Sequence, residues 1–105
     1  MAKWKKFTLE LSAVDVMDVK LRIEKNNVVE FSLNYRTMID GRYYEVYRVD
    51  TAHGYLHEQK CWVSPEPIPL HLHNDLNYIF DFYFDHIKEN FERYKKHYFT
   101  KTKLR

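Results

Sequence analysis

The feature that most constrains this chain is a row of apolar residues in its last third. Leu76, Ile79, Phe80, Tyr83, Phe84, Ile87, Phe91, Tyr94 and Tyr98 recur at the three-and-four spacing of an α-helix, which places them on one face. Asn74 can cap this helix, and Asp75 suits the positive end of its dipole. About 25 helical residues reach ~37 Å, whereas a strand of about seven reaches ~23 Å. The helix is therefore expected to overhang whatever sheet it covers. Tyr94 and Tyr98 would then meet the N-terminal elements or another chain. Tyr78 and Phe82 lie one turn apart, off the stripe. They suit either a partner surface or a place under the preceding connector.

A helix with one apolar face needs a sheet or another helix to cover it, and the upstream sequence supplies strands. Phe7, Leu9 and Leu11 alternate with polar residues. So do Val29, Phe31, Leu33 and Tyr35 in "VVEFSLNYR", the period-two pattern of a half-buried strand. "IDG" ends that run with a hairpin signal, and "RYYEVYRVD" returns. "TAHG" makes a second joint before "YLHEQKCWV", a third strand of an antiparallel meander. The segment "SAVDVMDVKLRIEKNN" reads as a helix over 13–25. Ser12 and Asp15 resemble a capping box, and Val16, Val19 and Ile23 fall at helical spacing. Val19, Leu21 and Ile23 also alternate, so a strand is the competing reading. Three prolines in "SPEPIPLHLH" make it an extended connector.

These elements predict an α+β fold. An antiparallel meander sheet of three to four strands carries the long C-terminal helix and a short N-terminal helix on one face. With 105 residues and no linker or repeat, residues 1–105 form a single domain with a basic, fraying tail at 100–105. Composition agrees with a globular chain: 45% hydrophobic, 30% charged. Cys61 is the only cysteine, so no internal disulfide forms, and a reducing, cytoplasmic setting is expected. Its Val and Trp neighbours mark a structural thiol. No apolar run is long enough to span a membrane.

The segment "YRVDTAHGYLHEQKCW" carries the most chemistry. If "TAHG" closes a four-residue hairpin, Asp50 faces Tyr55, Arg48 faces His57, Val46 faces Gln59 and Tyr44 faces Cys61. Arg48, Asp50 and His57 then share one face beside the turn that holds His53. Three readings remain open. Arg48 and Asp50 form a rim ion pair while His57 bonds locally; or His53 and His57 act as acid and base, with Arg48 stabilising negative charge; or Asp50, His53 and His57 hold a metal. The second set suits RNA cleavage through the RNA's own 2′-hydroxyl, with no metal and no cofactor. Further along, His71, His73 and Asp75 project together if extended. They suit a metal or the polar approach to the helix. Net charge is only +2, but the last turn and tail carry Lys95, Lys96, Lys101 and Lys103 around Tyr98 and Phe99. That pattern can hold phosphates and stack bases.

At Arg48, Asp50, Thr51, Ala52, His53, Gly54, Tyr55 and His57 the chain resembles a small prokaryotic domain-of-unknown-function family. That family's segment reads Arg-Tyr-Asp-Thr-Ala-His-Gly-aromatic-x-His, followed by Asn-Trp-x-x-Tyr near the C-terminus. Asn90, Phe91 and Tyr94 match the second segment, and the likeness covers residues 27 to 99. Val49 replaces the usual aromatic, and Gln59 stands where an acid is expected. More distantly, the order of elements is similar to the TumE-type toxins of toxin–antitoxin modules. That resemblance implies RNA cleavage or binding, with an antitoxin-like protein covering the site. The competing expectation is a homodimeric interaction module built on Tyr78, Phe82, Tyr94 and Tyr98.

Overall fold

Alternation of side chains, not helical spacing, governs residues 3 to 50. The computed structural model describes residues 3–51, 56–62, 68–69 and 75–102. The strands are β1 (Lys3–Glu10), β2 (Asp15–Glu24), β3 (Asn27–Ile39), β4 (Arg42–Asp50), β5 (His57–Lys60) and the two-residue β6 (Ile68–Pro69). They lie in one antiparallel sheet in chain order, and α1 (Leu76–Thr102) follows. The α+β class and the meander hold, with more strands than the sequence suggested.

The expected N-terminal helix over 13–25 is β2 instead. Met17, Val19 and Leu21 are all buried, while Asp18, Lys20 and Arg22 lie between them. Alternation places four apolar side chains, counting Ile23, on the core side, where a helix would have scattered them. The apparent capping box serves a bend. Ser12 Oγ accepts from the backbone N–H of Val14 and Asp15, both at 3.1 Å, and donates to Asp15 Oδ2 at 2.6 Å. Such local bonds are why serine and aspartate favour turns as readily as helix starts.

Two hairpins set the register of the long strands. Asp40 and Gly41 have φ of 51° and 79° between the paired residues Ile39 and Arg42, the left-handed pair that a two-residue turn demands. Lys25 and Asn26, at 48° and 65°, do the same between Glu24 and Asn27.

α1 crosses β3 and β4 on one face of the sheet. Ile79, Tyr83, Ile87, Tyr94 and Tyr98 bury its apolar stripe against Phe31, Leu33, Tyr35, Tyr47 and Val49. Asp75 is the cap: its Oδ1 accepts from the Tyr78 N–H at 3.0 Å. Asn74, the expected cap, lies outside the described residues. The expected overhang is absent, because β3 runs for 13 residues, about 43 Å at strand rise, and matches α1. Tyr94 and Tyr98 are accordingly 5% and 8% exposed, inside the chain's own core. Tyr94 stacks on Tyr47 with centroids 4.6 Å apart, worth about 0.5–1.5 kcal/mol beyond the area buried. No described helix is long and apolar enough to cross a membrane.

Candidate functional site

β4 and β5 present their even-numbered and odd-numbered side chains to different sides. Tyr47 and Val49 face α1, so Arg48 and Asp50 face away from it. Asp50 pairs across the strands with His57, and Arg48 with Gln59. The pairing is two residues from the one expected. Thr51 explains the shift, for it still continues the ladder: its N–H donates to the Phe31 carbonyl at 3.0 Å, and its Oγ1 accepts from the Phe31 N–H at 3.0 Å. The chain therefore turns later. A two-residue shift preserves faces, and Arg48, Asp50 and His57 do share one. His53, with Ala52, Gly54 and Tyr55, lies outside the described residues, as do His71 and His73.

Asp50 is the hub. Its Oδ1 is 2.7 Å from His57 Nε2 and its Oδ2 is 3.0 Å from Arg48 Nε. Asp50 and His57 are 5% and 4% exposed. A carboxylate so buried requires charged or hydrogen-bonding partners, and these two supply them. His57 is thus held firmly but has little surface to offer a substrate. Arg48 is about a third exposed, and its Nη1 lies 3.7 Å from Glu45 Oε2. The Arg48 Nε–H, although close to Asp50, makes no hydrogen bond and is buried. Across the β3–β4 ladder, Asn34 pairs with Arg48. Its Nδ2 donates to the same Glu45 Oε2 at 3.0 Å, while its Oδ1 is buried without a hydrogen bond.

A cavity of about 270 Å³ opens beside this group, lined by Trp4, Lys20, Glu30, Ser32, Arg48 and Asp50, with Phe31. Lys20 Nζ sits 4.7 Å over the Trp4 ring, and Trp4 is 48% exposed. The other cations of this face are neutralised in place. Arg36 grips Asp18 with Nε at 2.6 Å and Nη2 at 3.0 Å, and Arg22 Nε meets Glu30 at 2.9 Å.

A second charged group sits on the α1 side. Asp15, 2% exposed, accepts from Tyr35 Oη at 2.7 Å, Ser12 Oγ at 2.6 Å and Lys95 Nζ at 3.2 Å. Burial acts to raise its pKa, but the bonds from Ser12, Tyr35, Thr37 and Lys95 together hold it below the ordinary value. Lys95 and Lys96 line a shallow cavity of about 580 Å³ with Leu11, Phe91 and Phe99. Lys101 lies in the last turn of α1, and Lys103 is outside the described residues. Among the expected contact residues, Tyr78 and Phe82 are 57% and 50% exposed.

A family model for a domain of unknown function, DUF7718, matches residues 2–104. The chain belongs to the DUF7718 family. No curated protein and no solved structure matches it.

In this DUF7718 chain the sequence identified Arg48, Asp50 and His57, and missed Trp4, Lys20, Asn34 and Glu45. Their signal was available: they alternate with core residues on neighbouring strands, but only the pairing reveals which ones meet. Sequence reasoning also missed a polar row on α1. Tyr94 Oη bonds His86 Nε2, and Asn90 Nδ2 donates to the His86 carbonyl at 2.8 Å. Burial, then the Arg93 charge, pushes the His86 pKa below its usual value. Tyr47 Oη donates to Glu58 at 2.5 Å nearby, and burial with the Glu58 charge pushes Tyr94 up to about 12. These phenols stay protonated, which suits a structural role. Cys61 behaves as expected of a structural thiol: burial and Glu45 push it up to about 12, far from the reactive range.

Proposed function

We propose that this DUF7718 protein is RNA-directed and binds a single strand on the sheet face opposite α1. The observation that carries this reading is the convergence of Arg48, Lys20 and the Trp4 ring on one cavity above the buried Asp50. A guanidinium and an ammonium suit phosphate, and an exposed indole suits base stacking. Asp50 fixes Arg48 and His57, so the cavity is preorganised. The likeness of the Arg48-to-His57 segment to TumE-type toxins supports the same class, with an antitoxin-like protein as the partner that covers this face. Cleavage is the further step of this reading. His53 and His57 would act as base and acid while O2′ attacks phosphorus and the 5′-oxygen leaves protonated.

Anisotropy of a labelled single-stranded RNA tests binding. Micromolar affinity that falls with added salt is expected, with a loss of roughly tenfold or more in Arg48→Ala. Absence of binding at low salt overturns the proposal. Degradation that survives a chelator and disappears in His57→Gln supports cleavage, and intact RNA leaves a binding protein.

A second reading rests on Tyr78 and Phe82, half-exposed one turn apart on α1. Exposed aromatic pairs mark contact surfaces, and a homodimer through them is the alternative. Light scattering distinguishes it: a dimer that Phe82→Glu dissociates is expected, and a strictly monomeric wild type removes it.

A further inference from the structure

Three buried side-chain atoms among the described residues have no hydrogen-bond partner: Asn34 Oδ1, Arg48 Nε and Thr37 Oγ1. Thr37 stands on the α1 side opposite Asp15. The other two belong together. Asn34 and Arg48 are cross-strand partners, and both reach the same Glu45 oxygen. Directly opposed residues on one face have Cβ atoms about 4.5–5.5 Å apart. The amide cannot reverse freely, because Nδ2 donates to Glu45 and so leaves Oδ1 as the acceptor. One acceptor and one donor therefore lie side by side, each buried without a bond. Buried polar groups are nearly always satisfied, so an adjacent pair of exceptions calls for a cause.

We propose that this pair recognises the 2′-hydroxyl of a ribose, and so selects RNA over DNA. A hydroxyl is one group that donates and accepts at once. Its hydrogen goes to Asn34 Oδ1, and its oxygen takes the Arg48 Nε–H. The 2′-hydroxyl is what distinguishes RNA from DNA at a protein site. The surroundings have room for the neighbouring nucleotides. Asn34 lines a second cavity of about 430 Å³ on the same face, and this shares Lys20 and Ser32 with the cavity that Arg48 and Trp4 line. Lys20, between the two compartments, is placed for the phosphate that joins them. The inference rests on the RNA-binding reading and specifies what that site discriminates.

The test compares single-stranded RNA, DNA of the same sequence and fully 2′-O-methylated RNA by anisotropy. Wild type is expected to bind RNA roughly tenfold more tightly than either analogue, one lost pair of hydrogen bonds. Asn34→Ala should bring RNA down to the DNA affinity, with thermal melting as the check on folding. The analogues change only the ligand, so an unfolded variant cannot decide the outcome. Equal wild-type affinity for RNA and DNA overturns this inference and leaves nucleic-acid binding intact, as does a preference that survives in Asn34→Ala. A wild type that binds neither strand removes both readings.

Discussion

On the α1 side of the sheet, the buried carboxylate of Asp15 draws three donors from β3, α1 and the bend before β2. On the far side, the equally buried Asp50 is held by two neighbours, and the atoms beside it are left unsatisfied. The surroundings differ as much as the bonds. Asp15 sits against Tyr35 and close to the packed stripe of α1, whereas Asp50 borders an open cavity with an exposed indole on its wall. One carboxylate ties three elements into the fold. The other orients side chains toward a space. A protein can tolerate unmet donors and acceptors where a ligand will meet them, and satisfies them wherever stability is the only return.

The sharpest way to break this contrast is to cut the α1 side. Ile87 is fully buried among sheet and helix side chains. Ile87→Ala should cost about 2–5 kcal/mol in denaturant unfolding, while RNA affinity of the remaining folded protein stays within about twofold of wild type. A variant that melts normally but loses RNA would place the binding surface on α1 instead.

The next effect is smaller and depends on pH. Asp15→Asn keeps the shape but removes the charge that Lys95 pairs with, a loss of roughly 2–3 kcal/mol at pH 7. The folded carboxyl titrates below its unfolded value of about 3.9. Its contribution is therefore complete above that unfolded value and vanishes as pH falls through the folded one. Stabilities of wild type and Asp15→Asn, followed by chemical unfolding from pH 7 to pH 3, should converge at the acid end. Parallel curves would show that Asp15 is not the ionised anchor.

The same contrast explains how far the sequence could be read. The α1 stripe was legible because nine apolar positions repeat over six turns, too many for another period. β3 was legible because Phe31, Leu33 and Tyr35 alternate without interruption. β2 was not, since Val16, Val19 and Ile23 fit a helix as well as a strand. The decision came from Met17 and Leu21 and from the pairing with β3, which local pattern does not contain. At the site, Arg48, Asp50 and His57 were visible because they lie on one hairpin, and an error of two residues in register still kept their faces. Trp4, Lys20 and Asn34 come from three other strands. Only the order of the sheet brings them together, and a lone tryptophan among lysines carries no sign of what will stand across from it.

The smallest expected change in stability accompanies a large one in binding. Trp4 lies on the edge strand β1, half-exposed, touching Lys20 and Arg22 through its ring. Weak contacts of this kind hold little of the fold, so Trp4→Ala should shift stability by no more than about 0.5 kcal/mol. If the indole stacks a base, RNA affinity should fall by about 1–3 kcal/mol, or roughly 5- to 150-fold. Phe in its place should recover part of that, because stacking needs an aromatic face and not the indole N–H. Equal loss in Trp4→Phe and Trp4→Ala would point to the indole N–H as a donor. Unchanged affinity in both would move the strand of RNA away from β1, leaving Arg48 and Asn34 to hold it from the β3–β4 side alone.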